Sequence, residues 1–95
     1  RDKIVENAFG QDLLTVMNRF RPELILISAG FDSRIGDPLG QFRLTDEDFA
    51  SLTEIILDLA KLYANGKVVS VLEGGYDLNG LGKASVSHAQ KLLDF

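Results

Sequence analysis

Apolar residues fall along this chain in two kinds of run. In Leu24-Ile25-Leu26-Ile27 and Val68-Val69-Ser70-Val71-Leu72 nearly every position is aliphatic, as in parallel-sheet strands buried on both faces. Elsewhere apolar positions recur at helical spacing. From about Glu6 to Phe20 they are Phe9, Leu13, Val16, Met17 and Phe20. One amphipathic helix is predicted there, softened by Gly10, which costs about 1 kcal/mol relative to Ala. Residues 1–5 carry too little pattern for an assignment. Pro22 closes the helix, because the residue before a proline is pushed out of the α region, and the first strand follows at once.

Thr45-Asp46-Glu47-Asp48 reads as an N-cap threonine with an acidic first turn that complements the helix dipole. The stripe behind it is Phe49, Leu52, Ile56, Leu59 and Tyr63, widened by Ile55 and Leu62, and Asn65-Gly66 supplies a left-handed stop. Lys67 to Leu72 is the second strand. A last helix runs from about Leu78 to Leu93, with Leu81, Ala84, His88 and Leu92 along one side. A strand, helix, strand order implies a parallel crossover. Between the first strand and its helix lies a twelve-residue loop, Ser33 to Leu44, punctuated by Gly36-Asp37-Pro38 and Gly40. Loops of that length inside compact domains are often functional.

Two parallel strands apolar on both faces cannot be covered by three helices, so the pattern predicts a piece of a larger α/β domain, or a chain completed by association. The size agrees, since 95 residues make one domain at most. The only methionine, Met17, lies inside a predicted helix, and the sequence is expected to be cut from something longer than its start at Arg1. Fourteen acidic and ten basic residues give a net charge of −4 with no basic run, which argues against nonspecific nucleic-acid binding. No apolar run approaches the ~20 residues of a membrane span. Cysteine is absent, which rules out disulfides and thiolate metal sites and fits a cytoplasmic location.

The buried-type first strand delivers Asp32 to its carboxyl end, where ligands collect in open α/β sheets. Asp32 either caps neighbouring backbone amides or binds a metal. Tyr76 follows Glu73-Gly74-Gly75 at the end of the second strand, as an aromatic plug over the sheet edge or as a phenol aimed into a crevice. The glycines do not make a phosphate loop, because no Lys-Ser/Thr follows them and Glu73 would repel an anion. No Gly-x-Gly-x-x-Gly opens a helix after the first strand, which weakens a nucleotide-binding reading. His88 lies on an apolar helical stripe and reads as a hydrogen-bonded core or boundary residue. Asp37 orders the Gly-Asp-Pro turn, and Arg34 is solvated or paired.

Ser28-Ala29-Gly30-Phe31-Asp32, Gly36-Asp37-Pro38-Leu39-Gly40, Leu44-Thr45 and Leu72-Glu73-Gly74-Gly75-Tyr76-Asp77-Leu78 together resemble the C-terminal third of the histone deacetylase superfamily. The likeness covers about Phe20 to Phe95 and includes the acetoin-utilisation proteins and acetylpolyamine amidohydrolases. It implies that residues 1–95 are the C-terminal portion of a single arginase/deacetylase-like α/β domain, with two parallel strands and about three helices in this chain. The implied activity is zinc-dependent hydrolysis of acetyl-lysine or a small acetylated amine, with Fe2+ as the other candidate metal. The family's second aspartate ligand falls on Asp32 and its catalytic tyrosine on Tyr76. Leu39 falls on the wall of the acyl-lysine tunnel, where polyamine-specific members tend to carry a glutamate, and so tilts the substrate away from a polyamine. Gly74 and Gly75 match the glycine-rich turn beside that tunnel. The remaining ligands and the paired acid and base histidines lie upstream in the family, so the 95-residue chain alone is expected to be inactive. The alternative is a noncatalytic module that associates with another copy.

Overall fold

A computed structural model describes residues 2–94; Arg1 and Phe95, the ends of the predicted domain portion, lie outside the described residues. The chain begins with a π-helical segment, Asp2–Asp12, continued by α1 (Leu13–Phe20). Then come β1 (Ile25–Ala29), α2 (Asp46–Tyr63), β2 (Val68–Leu72) and α3 (Leu78–Leu93). The two strands pair in parallel, Ile25 opposite Val68 through Ala29 opposite Leu72, as the crossover rule requires.

The N-terminal helix differs from the expected one in start and winding. It starts at Asp2 rather than near Glu6, and its first eleven residues form the wide π turn. A Cβ on Gly10 would lie 3.0 Å from the carbonyl oxygen of Val5, five residues back, the interval at which a π-helix closes its rings. Val5, Phe9, Leu13 and Met17 turn inward at steps of four, whereas the expected core positions Val16 and Phe20 are exposed. Val16 and Phe20 both lie in α1, the α-helical part, so the row that packs inward is narrower than the expected stripe, which Phe9, Leu13 and Met17 still follow. Arg21 ends the helix in a left-handed conformation, its N–H donating to Met17 O at 2.8 Å.

Helix α2 starts as its sequence dictates. The Thr45 hydroxyl accepts from the Asp48 amide at 3.2 Å, and the Asp48 carboxylate accepts from the Thr45 amide at 2.9 Å, a reciprocal capping box. Phe49, Leu57, Leu59 and Ala60 are buried along it, while Leu62, expected in the stripe, faces outward. Asn65 and Gly66 both have positive φ, and the Gly66 amide closes back on Ala60 O at 2.9 Å.

The helices cover one face of the sheet. Ile25, Ala29, Leu59, Ala60 and Ala84 are buried there, with Val5 and Phe31 closing the end toward the long loop. On the opposite face Leu26, Val69 and Val71 stay open, Leu26 being 70% exposed. A bare aliphatic face is what strands of a larger sheet look like without their neighbouring layer. Among the described residues no helix is long and apolar enough to cross a membrane.

Candidate active site at the carboxyl edge of the sheet

Backbone pairing continues past both strands. The Glu73 amide donates to Ala29 O at 3.0 Å, and the Phe31 amide donates to Gly74 O at 2.8 Å. Together they lay the Gly74-Gly75-Tyr76 turn against Phe31 and Asp32. A Cβ on Gly74 would stand 3.0 Å from the Asp32 carboxyl carbon, and one on Gly30 would stand 3.1 Å from its Oδ1. Both glycines therefore leave the room that the Asp32 carboxylate occupies. Gly75 has φ +138°, and a Cβ there would meet Leu81 Cδ1 at 2.7 Å, so only glycine lets the chain turn into Tyr76.

The capping role considered for Asp32 belongs instead to Asp37. Among the described residues nothing donates to the Asp32 carboxylate, which is half-buried. Asp37 is buried and accepts three backbone amides: Leu39 at 3.0 Å and Gly40 at 2.9 Å through Oδ2, and Tyr76 at 2.8 Å through Oδ1. Burial pushes this carboxyl up, but the amides of Tyr76, Gly40 and Leu39, with a smaller effect from the nearby Asp77 amide, outweigh it and hold it below the usual range. The sequence pointed to the two turn bonds but not to the bond across 39 residues.

The long loop is pinched at its base. The Ile35 amide donates to Leu44 O at 2.8 Å, and the Leu44 amide donates to Ser33 O at 3.0 Å. Arg34 is the paired alternative of the two considered. Its Nε and Nη2 donate to the two carboxylate oxygens of Asp46 at 2.8 and 3.2 Å. That fork raises the Arg34 pKa, and the same hydrogen bonding lowers that of Asp46.

The elements thus bring Asp32, Leu39, Gly74, Gly75 and Tyr76 to one edge. Leu39 is 70% exposed and Tyr76 52% exposed, so the phenol is not a buried plug. An apolar cavity of about 210 Å³ opens beside the end of β1, lined by Gly30, Phe31, Ser33, Phe42, Phe49 and His88. Asp32 and Tyr76 do not line it, although the residues on either side of Asp32 do. The described residues include no cluster of three or more metal-binding side chains.

His88 is half-buried and hydrogen-bonded, the boundary form of the expected residue. The one proton of the Thr53 hydroxyl goes to Phe49 O at 2.6 Å, so Thr53 accepts from His88 Nδ1 at 2.7 Å. Neutral His88 then accepts from the Ser70 hydroxyl at Nε2, also at 2.7 Å, and its ring meets Phe31 edge-on. One imidazole therefore ties α2, β2 and α3 together. Burial lowers its pKa from the ordinary 6.5. Between that lowered value and 6.5 the unfolded chain binds more protons than the folded one, so stability falls as pH drops below about 6.5. Unfolding midpoints measured between about pH 7.5 and pH 5 should decline in the wild type and stay flatter in His88→Gln. An equal decline in both would assign the effect to another group. Asp37 and Asp46, both lowered from 3.8, add a further acid loss below that pH.

The chain is similar to known proteins over nearly its whole length. The family described as Histone deacetylase domain matches residues 1–92, extending the likeness upstream of Phe20. Polyamine deacetylase HDAC10 of Homo sapiens is 48% identical over 86 residues, covering 90% of this chain and 12% of that protein. Histone deacetylase clr3 of Schizosaccharomyces pombe is 40% identical over 86 residues, again 90% of this chain and 12% of the relative. The solved structure of the histone deacetylase Clr3 superposes with a TM-score of 0.86 at 36% identity, covering 96% of this chain and 15% of that one. The HDA15 HD domain gives a TM-score of 0.85 at 33% identity, over 98% and 25% of the two chains. The chain thus spans about an eighth of the length of the curated relatives named here. With a family match over nearly all its residues and the same arrangement of strands and helices as these solved domains, the chain belongs to the histone deacetylase domain family and has part of the arginase/deacetylase fold.

Proposed function

We propose that this chain is the C-terminal portion of a single deacetylase domain, in a longer protein that hydrolyses acetyl-lysine or a related acetylated amine with a bound zinc. Fe2+ is the alternative metal. The observation that carries the reading is the Asp32 carboxylate, free of hydrogen bonds among the described residues and set in a space that side chains on Gly30 and Gly74 would fill. Such a carboxylate suits one position of a three-ligand catalytic zinc. Asp32 is one ligand of three, so the 95-residue chain alone is proposed neither to hold zinc tightly nor to turn over. When bound, the metal supplies Lewis acidity toward the amide carbonyl and toward water.

Tyr76 supplies the other half of the chemistry from this chain. Its phenol donates a hydrogen bond to the carbonyl oxygen as that oxygen gains negative charge, the moment at which such a donor acts most strongly. Leu39 lines the approach of the acyl chain, and Gly74 and Gly75 keep the turn thin enough for that approach. The relatives' names include both polyamine and histone deacetylases, so overall likeness does not choose the substrate. Leu39 favours acetyl-lysine, because an apolar wall offers no partner for a second ammonium group.

The test is hydrolysis of an acetyl-lysine peptide and an acetylated polyamine by the longer protein, before and after metal removal by a chelator. Activity should vanish on stripping and return with zinc. Leu39→Glu should move the ratio of kcat/KM toward the polyamine by about tenfold or more, roughly one charged hydrogen bond. Full activity without metal would overturn the reading, and an unchanged ratio would remove Leu39 from it. The bare sheet face supports a second reading, a noncatalytic association module. A stable dimer of the 95-residue chain in sedimentation, with no hydrolysis by the longer protein, would favour it.

A further inference from the structure

We propose that Asp37 is a positioning residue for Tyr76, acting through the backbone of the turn that carries the phenol. The inference rests on the reading of Tyr76 as the oxyanion donor and adds to it the group that fixes the donor in place. A carboxylate that only ordered the Gly36-Asp37-Pro38 turn would need the Leu39 and Gly40 amides, both held by Oδ2. Oδ1 does something different: it reaches the Tyr76 amide at 2.8 Å, 39 residues along the chain. Bonds from an amide to a buried carboxylate are short and strong, and Asp37 is only 9% exposed.

Tyr76 needs such an anchor. Its side chain is half exposed, so packing within this chain fixes little of it, and the residue before it, Gly75, has a backbone conformation open only to glycine. The anchor also ties the phenol to Asp32. Gly40, whose amide Asp37 accepts, is pressed against the Asp32 carbonyl so closely that a Cβ would lie 1.7 Å from the oxygen. From Asp32 through Gly40 and Asp37 to Tyr76 there is one continuous set of contacts. It sets the spacing between the carboxylate at the end of β1 and the phenol beyond β2.

The experiment is a double-mutant cycle in the longer deacetylase. Asn in place of Asp37 keeps the shape, and with its oxygen retained where Leu39 and Gly40 both donate, its NH2 group faces the Tyr76 amide, so that contact is lost. Asp37→Asn should lower kcat by about 10- to 100-fold with KM within about twofold, the scale of an ångström-level misplacement of a reacting group. In a Tyr76→Phe background the same change should cost less than about threefold more, because the positioned hydroxyl is already gone. Equal losses in both backgrounds, or an unchanged kcat in Asp37→Asn, would overturn the proposal. A Tyr76→Phe enzyme with wild-type kcat would overturn the oxyanion reading itself, and the proposal with it. If Asp37→Asn does not fold, hydrogen exchange of the Tyr76 amide in the wild type decides. Protection well above that of an open loop supports the anchor, and exchange at the open-loop rate overturns it.

Discussion

Replacing Tyr76 with phenylalanine is expected to lower kcat of the longer deacetylase by about 10²–10³-fold, the usual consequence of losing one oxyanion donor. The substitution removes one oxygen and keeps the ring. Tyr76 is half exposed, and its amide, the group that holds the turn to Asp37, is untouched. Folding and melting temperature should therefore stay close to wild type, and KM should change little, because the bond strengthens only as charge develops on the carbonyl oxygen. Steady-state kinetics on the two proteins checks this. Wild-type-like turnover would remove Tyr76 from the chemistry.

The largest effect on stability is expected at Gly40. A Cβ there would lie 1.7 Å from the Asp32 carbonyl oxygen and 2.8 Å from its carbon, both rigid backbone atoms. Gly40→Ala must move either the loop or the segment carrying Asp32. Overpacking of this kind costs about 1–3 kcal/mol, and a backbone clash this close belongs at or above the top of that range. Gly82 provides the matched control. It lies inside α3 with nothing within 4 Å of its added Cβ, and Gly82→Ala should stabilise by about 0.4–1 kcal/mol, since alanine restricts the unfolded chain more than glycine does. Denaturant midpoints should therefore move in opposite directions. A neutral Gly40→Ala would mean that the loop does not press on Asp32.

The sheet was legible because its signals are local. Two aliphatic runs, a capping box at Thr45 and a left-handed stop at Asn65-Gly66 place both strands and α2, and parallel pairing brings Asp32 and Tyr76 to the same edge. His88 was legible as a hydrogen-bonded core or boundary residue because it sits on an apolar stripe, although its two hydroxyl partners, Thr53 and Ser70, lie on other elements. Three features were not legible. The π winding of the first segment escapes a search for 3.6-residue periodicity, and the exposure of Val16 and Phe20 escapes because apolar spacing within α1 does not say how much of its stripe the rest of the chain covers. The reach of Asp37 to Tyr76 escapes because a turn aspartate looks the same whether or not its second oxygen finds a partner far along the chain. The open face at Leu26, Val69 and Val71 was legible too, because both strands are aliphatic on both faces while three helices can cover only one.

The most direct test of the account is calorimetric titration of zinc into the metal-stripped longer deacetylase, wild type beside Asp32→Ala. One tight site per chain is expected in the wild type and its loss, with activity, in Asp32→Ala, since the carboxylate that Gly30 and Gly74 make room for is the proposed ligand. Tight, stoichiometric zinc binding that survives in Asp32→Ala would contradict it.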